Sequence, residues 1–145
     1  MLIRDARSED AVPASEVLRR SIVQLCENDH RGDPAILMRW LANKTPEHFR
    51  GWLRSSHVLV AEEDGRILGV AALTDTGHVT LNYVDPAARF RGVSRALLAA
   101  AEQRARERGC RSCTLETTKT AERFYRDAGY VDQADSSRML VKRLA

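Results

Sequence analysis

Apolar residues recur with two different periods along the chain, and the switches between them divide it into elements. Leu2 to Ala6 reads as a short opening strand. Ser8 or Asp10 is placed to cap the helix after it, whose stripe is Val17, Leu18, Ile22, Leu25 and Cys26. Glu27 to Gly32 is polar and reads as a loop. Asp33-Pro34 then opens a second helix, aspartate as cap and proline at its first position, with Ile36, Leu37, Trp40 and Leu41 as the buried face. Asn43 to Pro46 breaks and restarts the chain before Phe49, Trp52 and Leu53. The period then shortens to two. His57 to Glu63, Arg66 to Thr74 and Val79 to Val84 read as an antiparallel meander, joined by the hairpin turn Asp64-Gly65 and by Asp75-Thr76-Gly77.

Asp85-Pro86 stops the third of these strands, because proline has no amide hydrogen for a ladder. A long helix follows. Val93, Leu97, Leu98, Ala101 and Ala105 fall on one face, Arg95, Glu102, Gln103 and Arg106 on the other, and Gly109 is a C-cap. Cys113 to Thr117 is a strand reached through that helix, so the crossover makes it parallel to the strand before. Thr120 to Ala128 is a short helix, and Tyr130 to Gln133 with Arg138 to Arg143 close the chain as a hairpin. The order is βααβββαβαββ, an α+β (mixed α/β) fold with a central, mostly antiparallel sheet and helices on both faces. No linker or repeat interrupts it, so 1–145 reads as one domain.

Composition narrows the classes. With 43% apolar residues in 145, the chain can build a core. No run is long and apolar enough to span a membrane, and the start MLIRDARSED is too charged for a secretory signal. The formal net charge of +3 suits a polyanionic ligand. The basic residues are scattered, which counts against a nucleic-acid partner. Cys26, Cys110 and Cys113 suggest a reducing cytoplasm rather than a disulfide framework. Cys110-x-x-Cys113 does not read as a metal or redox site: it lies in a strand-like segment and has no second pair.

The loop Arg89-Phe90-Arg91-Gly92-Val93-Ser94 sits on the N-terminus of the long helix. The first amides there lack intrahelical partners and the helix dipole adds positive potential. Gly92 lets a phosphate approach the backbone, and Arg89, Arg91 and Arg95 add charge. An ordinary strand-to-helix turn with solvated arginines has the same spacing.

The wording of the loop is more specific than its spacing. Arg89-x-x-Gly92-x-Ser94 after Val84-Asp85-Pro86, followed by a helix opening Arg95-Ala96-Leu97-Leu98, resembles the acetyl-CoA loop of the GNAT N-acetyltransferase superfamily, with Ser94 standing where the pattern has glycine or alanine. Ala121-x-x-Phe124-Tyr125-x-x-x-Gly129-Tyr130 resembles the same family's later helix and strand. The resemblance implies an enzyme that moves an acetyl group from acetyl-CoA to the amine of a small molecule or peptide by direct attack, with no metal. It also implies roles. Backbone groups near Asn82, Tyr83 and Val84 pair with the pantetheine amides, the amides from Phe90 to Arg95 hold the pyrophosphate, and Thr118, where the family often has asparagine, bonds the coenzyme arm. Tyr125 protonates the departing thiolate. The base is open between Glu116, the weaker candidates Asp75, His78 and His30, and solvent. Many relatives are dimers, which brings a homodimer into view. The alternative within this fold is an acyl-CoA-binding module without turnover. Both tryptophans, Trp40 and Trp52, read as packing anchors rather than an acceptor wall.

Overall fold

The computed structural model describes residues 1–133 and 139–144. Seven strands form one sheet in the order β1-β2-β3-β4-β5-β7-β6. They are β1 (Leu2–Asp5), β2 (His57–Glu63), β3 (Arg66–Leu73), β4 (His78–Val84), β5 (Ser112–Glu116), β6 (Val131–Asp132) and β7 (Met139–Arg143). Every neighbouring pair is antiparallel except β4 with β5, as the crossover required. The Asp64-Gly65 turn has both residues at positive φ, 52° and 77°, which matches the right-handed twist of β2 and β3. Arg138, the expected start of the last strand, lies outside the described residues.

The segment between β1 and β2 is more helical than its pattern suggested. It holds α1 (Ala11–Leu25), α2 (Glu27–His30), α3 (Pro34–Leu41) and α4 (Pro46–Ser55). Asp33 caps α3 as read, its Oδ1 accepting from the Ala35 amide at 2.9 Å. Thr45 caps α4 through the His48 amide. Neither Ser8 nor Asp10 caps α1. Asp10 is buried and its carboxylate instead accepts from the Arg4 guanidinium (2.8 and 2.9 Å) and the Arg7 amide (2.7 Å). The expected polar loop 27–32 contains the turn α2. His30 within it is buried: Nε2 lies 2.9 Å from the Ile22 carbonyl, and Nδ1 accepts from the Gly32 amide. The apolar face of α3 is only half-buried, with no fully buried residue.

Two layers of core flank the sheet. On one face Leu18, Phe49, Val58, Val60, Val70 and Leu81 pack under α1 and α4. On the other, Leu59, Ala61, Leu68, Ala71, Leu97 and Ala101 pack under α5 (Val93–Glu107). A third cluster joins Leu73, Val79, Leu98, Cys113 and Leu115 to Tyr125 and Tyr130 beside α6 (Glu122–Asp127). Trp52 stands edge-on to Phe49 and Trp40 edge-on to His30. Glu102, assigned by periodicity to the solvent face of α5, is buried: it accepts from the Tyr130 hydroxyl at 2.8 Å and from Lys142 Nζ at 3.0 Å. A buried carboxylate is tolerated when both oxygens are bonded in this way.

Candidate active site

The parallel pair β4–β5 is very short. His78 faces Thr114 and Val79 faces Leu115, and there the ladder ends. The cause lies on the other edge of β4. Ala72 of β3 faces Leu81 while Leu73 faces Val79, so Thr80 is left unopposed in a β-bulge. The extra residue flips the alternation, placing Val79 and Leu81 in cores on opposite sides of the sheet. It also bends β4, and beyond it β4 and β5 diverge.

The gap is a cleft of about 340 Å³. Asn82, Tyr83, Val84, Arg89, Phe90, Ser94, Glu116, Thr118 and Tyr125 all line it, with Phe124 of the same motif beside Tyr125, joined by Ser21, Leu25, Cys26 and Thr120, which the sequence did not place at the site. Their contribution comes from the end of α1 and the turn before α6, regions whose approach to the cleft depends on tertiary packing. Asp29 of α2 ties these regions together by accepting from the Thr120 amide and hydroxyl.

The loop leading into α5 forms part of the wall. Asp85 is buried, accepting from Arg20 at 2.7 Å and from the Ala87 amide at 3.0 Å, and so fixes the turn after β4. Phe90 and Gly92 are both left-handed, with φ of 66° and 78°. Phe90 is 88% exposed, and Arg89 lies over its ring, 4.5 Å from the centroid. A Cβ at Gly92 would meet nothing within 4 Å, so the surface there is open and the constraint is the backbone angle. Among the described residues, none accepts a hydrogen bond from the amides of Phe90 through Arg95. The side chains differ. Val93 is buried in the core beneath the loop. Arg91 is paired with Glu63 at 2.6 Å, away from the cleft. Arg95 lines a neighbouring cleft of about 410 Å³ with Glu102, Asp127 and Lys142. Arg91, Gly92, Val93 and Arg95 are thus not in the wall of the main cleft.

Tyr125, buried on α6, also lines the cleft. Burial pushes its phenol up to about 12, an effect the Asn82 amide partly offsets. Burial also raises the phenol of Tyr83 and lifts the Cys26 thiol to about 11, with the Asp29 charge adding to it. The helix carrying Tyr125 ends in a Schellman closure: the Tyr130 amide donates to the Tyr125 carbonyl and the Gly129 amide to that of Arg126. The rings of Tyr125 and Tyr130 meet edge-on at 5.9 Å, which is the apolar contact expected of that closure. Thr118 Oγ1 accepts from the Ala121 amide at the entry to α6. Glu116 stands exposed at the end of β5, where it lines the cleft. The other base candidates are engaged elsewhere. His30 has both ring nitrogens bonded, Asp75 is paired with His57 and Arg108, and His78 Nδ1 lies 2.8 Å from Thr114 Oγ1.

The cleft therefore offers an unpaired strand edge, open amides at a helix start and a neutral buried phenol. The orphaned Asn82 Oδ1 is buried with no hydrogen-bond partner among the described residues. These groups fit an elongated ligand that bears an anion at one end and amides along its length. No cluster of His, Cys, Asp and Glu among the described residues is arranged to hold a metal ion. No helix among them is long and apolar enough to cross a membrane.

The profile of the acetyltransferase (GNAT) domain matches residues 36–140, and the chain belongs to this family. Its fold is similar to that of a GCN5-related N-acetyltransferase from Rhodopseudomonas palustris, with 25% identity, a TM-score of 0.89, and coverage of 99% of this chain and 95% of that one. It is also similar to the PaiA N-acetyltransferase of Thermoplasma acidophilum, solved with coenzyme A, at 19% identity, TM-score 0.82, and 99% and 98% coverage. The ribosomal-protein-S18-alanine N-acetyltransferase of Escherichia coli shares the fold at 15% identity, TM-score 0.70, and 99% and 94% coverage. No curated protein resembles the chain closely enough in sequence to count as a relative.

Proposed function

We propose that the chain is a single-domain N-acetyltransferase that moves an acetyl group from acetyl-CoA to the amine of a small molecule or peptide. The observation that carries this reading is the divergence of β4 from β5 after Val79, which opens a cleft lined by the start of α5 and by Tyr125. Acetyl-CoA supplies the acetyl group as a thioester, with a thiolate as leaving group. The amides from Phe90 to Arg95 bind the pyrophosphate in the positive potential of α5. The free edge of β4 at Asn82, Tyr83 and Val84 pairs with the amides of the arm, and Thr118 orients it. Tyr125 gives its proton to the sulfur as the carbon–sulfur bond breaks and the carbon–nitrogen bond forms. Its phenol, raised to about 12, stays protonated over the range in which amines become neutral. Glu116 draws the proton from the attacking amine through water.

Isothermal titration with acetyl-CoA tests the first half, with Gly92→Glu as control. Micromolar binding that is lost in the control supports the loop assignment, and equal affinity of both proteins refutes it. Thiol release over a panel of amines tests the second half. Binding without release on any amine would leave an acyl-CoA-binding module in place of an enzyme.

A further inference from the structure

Asn82 is the polar side chain whose role the backbone account leaves out. It lies two residues past the bulge, on the stretch of β4 that β5 has abandoned. Its Nδ2 donates to the Ser94 carbonyl in the first turn of α5 at 3.4 Å, and that contact fixes which end of the amide carries hydrogen. The second Nδ2 hydrogen has no other acceptor among the described residues. Tyr125 lines the same cleft, and its hydroxyl makes no hydrogen bond to any described residue. We propose that Asn82 is a positioning residue for Tyr125: held by the Ser94 carbonyl, it turns its free N–H to the phenol oxygen as the proton leaves.

The inference rests on the reading of Tyr125 as acid and adds what makes that acid usable. An N–H donated to the phenol oxygen leaves the hydroxyl's own hydrogen free to face the cleft. It also stabilises the phenolate, which burial alone strongly disfavours. The balance is simple: one proton passes from the Tyr125 oxygen to the leaving sulfur, and the negative charge left on the phenolate is met by the amide. The other groups near Tyr125 are not held for this. No hydrogen bond among the described residues fixes the Tyr83 hydroxyl as the Ser94 carbonyl fixes Asn82, and the Tyr130 hydroxyl is committed to Glu102. Phe124 offers an apolar edge at 5.1 Å. Glu116 lines the same cleft but is an acceptor and opposes a phenolate.

The test reads the phenol directly and needs no acceptor. The chain has three tyrosines. Labelling with 3-fluorotyrosine, a more acidic phenol, brings their titrations into an accessible range, and Tyr125→Phe assigns the Tyr125 resonance by ¹⁹F NMR. Asn82→Leu should raise the Tyr125 midpoint by about one pH unit, a tenfold loss of acidity. Asn82→Asp, which keeps the size and loses the N–H, should raise it at least as far. The melting temperature should stay within a few degrees of the parent chain's in both, showing that the fold is intact. A midpoint that is unmoved or lowered in both variants overturns the role of Asn82, even if Tyr125→Phe still slows thiol release. Failure of Tyr125→Phe to slow release refutes the acid reading separately, and with it the use proposed for Asn82.

Discussion

The two edges of β4 make opposite use of one strand. Toward β3 it is paired from Gly69 opposite Val84 down to Leu73 opposite Val79, interrupted by a single bulge. Toward β5 it is paired at His78 and Val79 alone. One edge thus contributes ladder hydrogen bonds and core, while the other leaves backbone groups free for a ligand. The bulge at Thr80 lies on the paired edge, yet its effect is to open the other. On the proposed reading, stability and binding are separated across the width of a single strand, so substitutions should be able to damage one without the other.

The largest effect is expected from Gly92→Glu. Acetyl-CoA affinity should fall more than about 100-fold by titration calorimetry, since a carboxylate replaces open space at the anion end. The melting temperature should move by only a few degrees, reflecting the cost of a left-handed non-glycine residue. Tyr125→Phe should slow thiol release by about 10- to 100-fold with little change in affinity, measured where chemistry limits turnover. Gly69→Ala attacks the paired edge. A Cβ there would sit 2.8 Å from Leu97 and Val93 side-chain atoms and 2.9 Å from the Tyr83 carbonyl. Overpacking of this kind costs about 1–3 kcal/mol, which calorimetry should register as a melting temperature lower by about 3–10 °C. The smallest effect concerns pH. The Arg4 guanidinium holds the Asp10 carboxyl below its usual value, so the stability it contributes is complete above about pH 4 and is lost as pH falls through the depressed value. Asp10→Asn should lower stability at pH 7 by about 1–2 kcal/mol and flatten the acid limb of a denaturation–pH profile.

Elements with strong local chemistry were legible in the sequence. The pattern of His57 to Glu63 marked β2, the Asp64-Gly65 turn marked β3 as its return strand, and Asp33-Pro34 marked the start of α3, because each signal is set by a few neighbouring residues. The loop from Arg89 to Ser94 and the Phe124-Tyr125 pair were legible as motifs. What escaped depends on partners far along the chain. The bulge at Thr80 leaves no mark in Val-Thr-Leu-Asn-Tyr, which alternates without a break, and only pairing with β3 reveals it. Glu102 sits where helical periodicity alone suggests solvent, and Tyr130 and Lys142 bring it inside. His30 looks like a loop histidine until its two ring nitrogens are found bonded within its own turn and to the end of α1. Arg91 and Arg95 share the basic loop with Arg89, yet Glu63 draws the first aside and helix geometry turns the second to a different cleft.

The bond between Tyr130 and Glu102 has a consequence for measurement of length. Glu102 belongs to α5, and Tyr130 is locked to Tyr125 by the closure of α6. The amides at the start of α5 and the phenol are therefore two jaws mounted on one rigid bar. On the proposed reading the spacing between the pyrophosphate site and the proton is therefore fixed by the fold. Thioesters on truncated or extended arms would present their sulfur out of register with the proton meant for it, however well their head groups bind.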